Sequence, residues 1–181
     1  MAINEATEGN EAVPFLFFME NQSPLQQIEA IVLDVLNGDP NYFLVEARIK
    51  PTNNVKIFID GDQGITIEKC VQLNRTMYKK IEEANIFPPG DYSLEVSSPG
   101  LDEPLKLHRQ YKKNIGRFIE VLLQDGTRKE GRLLEVSEDG IIVEEKLGKK
   151  TGHGKVERNV AFESHTYLFN NIKSTKIQVV F

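Results

Sequence analysis

The segment YSLEVSSPGLDEPL, Tyr92–Leu105, decides how the chain is divided. Tyr92, Leu94 and Val96 alternate as in a half-buried strand, and Ser97 and Ser98 end that pattern. Pro99-Gly100 then fits the two central positions of a type II turn, with proline presetting φ and glycine accepting φ > 0. The segment also separates halves of opposite charge. Residues 1–103 carry 7 Lys+Arg against 17 Asp+Glu, a net of −10, whereas residues 104–181 carry 15 against 10, a net of +5. Such asymmetry predicts two modules that meet their partners differently.

Working outward, 181 residues suffice for one domain or two small ones with real cores. The hydrophobic content of 40% and charged content of 27% are those of an ordinary soluble globular protein. The overall charge of −5 argues against a generic nucleic-acid coat, since phosphate neutralisation needs clustered Lys and Arg, and only the second half has them. One cysteine, Cys70, excludes an intramolecular disulfide and a Cys-rich zinc site and suits a reducing compartment. No apolar run reaches the length that crosses a bilayer. The apolar stretch Val13–Phe18 follows Glu5, Glu8 and Glu11 rather than basic residues, so a secretory signal fits poorly. Residues 1–22 read as an extension, flexible or not native, and translation is expected to start at Met19.

Upstream of the dividing segment, Ser23-Pro24 marks a helix start, and Leu25, Ile28, Ile31, Val32, Val35 and Leu36 keep helical spacing up to Gly38-Asp39-Pro40. Tyr42–Lys50 and Val55–Asp60 read as a hairpin turned at Pro51–Asn54. Thr66 caps a second helix, which runs to about Ala84. The order α-β-β-α-β predicts a two-layer α+β domain over residues 23–103, with its helices on one sheet face. Downstream, Asp125-Gly126 and Asp139-Gly140 each sit between β-rich runs, the composition of a type I′ hairpin. With Ile172–Phe181 as the last strand, residues 104–181 read as a small closed β-barrel, SH3-like or Sm-like.

Catalysis is poorly supported. Ser97 and Ser98 are the tempting nucleophiles, with His108, His153 and His165 as possible bases, but no G-x-S-x-G elbow is present and Pro-Gly explains the serines as turn residues. The histidines lack metal-ligand spacing. Asp60, Asp62 and Glu68 miss the twelve-residue calcium-loop pattern and read as loop acids plus a helix N-terminal glutamate. The basic residues carry more. Arg109, Lys112, Lys113 and Arg117 precede the first barrel strand, interleaved with Tyr111 and Phe118. Lys146, Lys149, Lys150, Lys155 and Arg158 occupy a glycine-punctuated stretch, KLGKKTGHGKVER. Both clusters suit either a solvated face or contact with RNA phosphate or an acidic protein surface. Neither carries an RNA-recognition or KH signature, so base-specific reading is not indicated.

These residues resemble one family, the bacterial ribosome maturation factors RimP. The likeness lies in IFIDGDQGITIEKCVQLNR (Ile57–Arg75) and YSLEVSSPGLDEPLKLHRQYKKNIGRFIEVLL (Tyr92–Leu123), and it continues more weakly through Gly131–Val136 to Asn171-Ile172-Lys173. It implies an α+β domain joined to an SH3-like barrel. It also implies a non-enzymatic cytoplasmic factor that binds the free small (30S) ribosomal subunit through a small-subunit ribosomal protein and 16S rRNA. Under that resemblance Ser97, Ser98, Pro99, Gly100, Leu101 and Asp102 are the interdomain hinge, and the two basic clusters are candidate rRNA contacts. Asp60, Asp62 and Glu68 become candidate contacts for a basic ribosomal protein. No cofactor, metal, small-molecule substrate or membrane is expected, and the chain is expected to be a monomer. The alternative is a standalone Sm-like RNA-binding module, which would form rings.

Overall fold

The computed structural model describes residues 22–147 and 161–179. The expected extension with its start at Met19, and the basic residues Lys149, Lys150, Lys155 and Arg158, lie outside the described residues.

Helix α1 spans Pro24–Leu36 and begins with a reciprocal cap. The Ser23 hydroxyl accepts from the Gln26 N–H at 3.4 Å, and the Gln26 side-chain oxygen accepts from the Ser23 N–H at 2.9 Å. Strands β1 (Tyr42–Lys50) and β2 (Asn54–Gly61) form the expected hairpin, turned through Thr52 and Asn53 at φ of 64° and 52°. Helix α2 (Ile67–Glu83) is capped by the Thr66 hydroxyl, which accepts from the Lys69 N–H at 3.2 Å. The helix serves as the crossover that lets β3 (Ser93–Ser97) lie parallel to β2, in the order β1-β2-β3. Ile28, Val32, Val55, Ile57, Ile59, Met77 and Ile81 form its buried core between helices and sheet. Because Ile57 and Ile59 face the helices, the alternating Phe58 and Asp60 face the other way, joined by their register partners Glu46 and Phe43.

The turn after β3 departs from expectation. Gly100 does not have positive φ, and the turn is closed two residues later, by the Glu103 N–H donating to the Gly100 carbonyl at 3.0 Å. Its central residues are Leu101 and Asp102, neither at positive φ, so it needs no glycine at its centre.

The second half opens with a short helix, α3 (His108–Lys113), followed by β4 (Phe118–Leu123), β5 (Arg128–Val136), β6 (Gly140–Leu147), β7 (Ala161–Leu168) and β8 (Ile172–Ile177). All pairings are antiparallel, in the order β7-β6-β5-β4-β8. Ile119, Val121, Leu133, Ile141 and Val143 fill a second core, with Tyr111 of α3 packed into it. Both Asp-Gly hairpins form, but neither as type I′. In the first, only Gly126 has positive φ, at 86°, and its N–H donates to the Leu123 carbonyl at 3.0 Å; this is a three-residue loop with glycine in the left-handed position. In the second, Gly140 has ordinary φ and already belongs to β6. A Cβ there would lie 2.3 Å from the Tyr167 carbonyl, so close approach of β7 excludes a side chain.

The expected barrel does not close. Among the described residues, β7 and β8 are the two edges of one five-stranded sheet and share no register. Only the turn Phe169–Asn171 joins them, which brings the edges together at one end and requires the sheet to curl around its core. The outer edge of β8 is met by the incoming chain instead, since the Leu105 N–H donates to the Thr175 carbonyl at 2.8 Å. Two elements, α3 and β7, have no counterpart in the sequence reading.

Candidate interaction site between the two modules

The segment Lys106–Lys113 crosses from the second core onto the free face of the first sheet, where it acts as a strap. A buried glutamine fixes its start: the Gln110 side-chain oxygen accepts from the N–H groups of Lys106 and Leu107 at 2.8 and 3.1 Å. The strap then presents three cations, Lys106 ahead of the helix and Arg109 and Lys113 within it, to three acids. Arg109 clasps Asp62 through two parallel hydrogen bonds, Nε–Oδ1 and Nη2–Oδ2, both 2.6 Å. The same guanidinium donates to the Pro40 carbonyl at 2.6 Å and lies 4.5 Å from the centre of the Phe43 ring. Lys113 pairs with the buried Asp60, whose Oδ1 also accepts from the Gly61 N–H at 2.8 Å. Lys106 pairs with Glu46, which also binds Arg48; Arg48 lies 3.9 Å from Glu103 in the turn and stacks over Phe58.

The electrostatics follow from these pairings. Arg48 and then Lys106 pull the Glu46 carboxyl down to about 2, and Arg109 holds Asp62 below the ordinary carboxylate range. Glu68 is also lowered, by its own backbone N–H and the Thr66 hydroxyl, but it sits in the first turn of α2 away from the strap. Beside the strap, a cleft of about 220 Å³ is lined by Ser98, Pro99, Gly100 and Leu101 on one side and Lys113 and Arg117 on the other.

The structure therefore brings together residues that sequence reading had assigned to separate partners. Asp60 and Asp62, expected to meet a basic protein, are bound to Arg109 and Lys113, expected to meet RNA. Lys112 and Lys146 make no ion pair among the described residues, and both are exposed. Arg117 makes a hydrogen bond to Asn114 at 3.0 Å. Glu46, Arg48, Lys106 and Gln110 were missed. The pairing of one charge with another some 50 residues away leaves no local trace in sequence.

Among the described residues, neither Ser97 nor Ser98 is hydrogen-bonded to a histidine. His108, the nearest histidine to the dividing serines, points its ring nitrogen at the Ser137 carbonyl, 2.7 Å away. Among the described residues no group of His, Cys, Asp and Glu is placed to hold a metal ion, and no helix is long and apolar enough to cross a membrane. An acidic α+β region is thus strapped to a basic β-sheet region by ion pairs whose acids all come from the first and whose cations all come from the second. Residues 33–102 match the model of the RimP N-terminal domain. The ribosome maturation factor RimP of Cytophaga hutchinsonii is 37% identical over 161 residues, covering 86% of this chain and 96% of that protein. The ribosome maturation factor RimP of Flavobacterium psychrophilum is 40% identical over 132 residues, covering 72% and 82%. The chain belongs to the RimP family.

Proposed function

We propose that the chain is a maturation factor for the small ribosomal subunit, acting by binding rather than by catalysis. The observation that carries this reading is that the likeness to proteins named ribosome maturation factors runs through both modules, strap included, rather than through one. In this reading residues 23–103 and 104–181 are separate units, and Ser97–Asp102 is the hinge between them. The α3 cations, Lys112, Arg117, Lys146 and the basic stretch 149–158 meet phosphate of 16S rRNA, and the acids of the first module, Glu68 among them, steer a basic ribosomal protein. Second-module strands of SH3-like arrangement, curled and open, present those cations.

The test is gradient profiling of ribosomal particles in cells with and without the protein, together with co-sedimentation of the purified chain. Loss of the protein should accumulate immature small subunits, and the chain should travel with free small subunits at low salt. An unchanged profile with no co-sedimentation would overturn the reading. Rings that bind short single-stranded RNA would favour the Sm-like alternative.

A further inference from the structure

Arg109 has only one guanidinium, and in this structure its Nε and Nη2 are both committed. Its fork is closed on Asp62 with two parallel 2.6 Å hydrogen bonds, the geometry in which arginine also grips a phosphate. Lys113 is tied to Asp60 and Lys106 to Glu46. Two of the three acids, Glu46 and Asp60, come from one sheet face and the third, Asp62, follows directly on the end of β2, while the three cations come from one eight-residue strap. An RNA backbone would need those same nitrogen atoms.

We propose that the free face of the first sheet is an internal phosphate mimic, and that it competes with RNA for the strap. Glu46, Asp60 and Asp62 occupy Lys106, Arg109 and Lys113 in the free chain and keep them from adventitious RNA. Only an RNA that offers several phosphates at once displaces the acids, and the strap then leaves the first module. The binding surface is thus the face of α3 now turned inward, and its regulation is the ion-pair set itself. Lys112, outside that set, is the residue that makes first contact. This rests on the reading that the second module meets rRNA, and it adds that this contact is autoinhibited.

The experiment measures affinity of the full chain for a labelled uridine oligonucleotide across a salt series. Three proteins are compared: the natural chain, the variant Glu46→Gln/Asp60→Asn/Asp62→Asn, and the variant Glu29→Gln/Glu82→Gln/Glu83→Gln. The last removes the same number of negative charges from the helix layer, on the opposite side of the sheet. Freed cations should tighten binding by tenfold or more over the natural chain. They should also steepen the plot of log K against log salt by about 2, since each new phosphate contact on a single strand adds about 0.7. The helix-layer variant should change neither by as much as half. Equal behaviour of the two triple variants would overturn the proposal, because net charge alone would then explain the gain. If the sheet-face triple variant fails to fold, Asp62→Asn alone, at a half-exposed position, gives the same comparison against Glu83→Gln. Small-subunit co-sedimentation of the natural chain is scored in parallel, so that failure of the autoinhibited contact is distinguished from failure of the maturation role.

Discussion

Three glycines show how little a residue's name says without its surroundings. Gly100 sits in the dividing segment, yet its φ is ordinary and a Cβ there would meet nothing within 4 Å. Gly126 has φ of 86° in an open turn, so a side chain meets backbone strain but no neighbour. Gly140 is the reverse, with ordinary φ but the Tyr167 carbonyl 2.3 Å from the position of a Cβ. The alanine series should separate the three cases. Gly100→Ala should stay within about 0.5 kcal/mol of the natural chain. Gly126→Ala should lose about 1–2 kcal/mol through the left-handed conformation. Gly140→Ala should lose about 1–3 kcal/mol, because β7 must move off β6. Urea midpoints at constant m-value check the order, and a Gly100→Ala loss as large as that of Gly126→Ala would contradict the turn described above.

At the scale of elements, legibility tracks how locally each element is specified. Helices α1 and α2 were readable because Ser23 and Thr66 cap them and their apolar residues keep helical spacing. Helix α3 was not: it has six residues, His-Arg-Gln-Tyr-Lys-Lys, no Ser, Thr, Asp or Asn at its start, and a cap supplied by buried Gln110 from within. Strand β7 escaped because its sequence, AFESHTYL, is half polar and largely exposed, as befits an edge whose only partner among the described residues is β6. The charges of the site were visible as a −10/+5 division, but their mutual pairing was not, since Asp62 and Arg109 are brought together only by the strap. That pairing has a pH consequence. Glu46 in the strapped state titrates at about 2 against its ordinary 4.5, so it is a depressed carboxylate. Its contribution to the strap is complete above about pH 4.5 and is lost as pH falls through about 2. Asp62, lowered in the same direction by Arg109, reinforces the loss. Backbone amide shifts of residues 106–113 should therefore begin to move below pH 4.5 and complete the change near pH 2. A single transition of the strap centred at 4.5 would mean that Glu46 is not held by Arg48 and Lys106.

For the whole molecule, two separate buried clusters are bridged in part by charge. Ile28 through Val96 close one core and Tyr111 through Ile172 the other. Between them lie the turn Gly100–Glu103, the Leu105 N–H on the edge of β8, and the strap with its ion pairs. Exposed pairs of this kind are screened as the Debye length shortens, from about 30 Å at 0.01 M salt to about 3 Å at 1 M, whereas buried apolar contacts are not weakened in that way. Raising salt should thus loosen the modules from each other while each core stays folded. The expected result is a radius of gyration by small-angle X-ray scattering that grows from low to high salt, with unchanged far-ultraviolet circular dichroism. Glu46→Gln/Asp62→Asn should show the larger radius already at low salt and respond little to added salt. The Lys113–Asp60 pair, the least exposed of the three, should be the last to open, since partial burial protects it from screening, and its loss should coincide with release of the α3 amides to exchange. A radius that is constant in salt for both proteins would mean that the turn and the Leu105 contact hold the modules together without the charges.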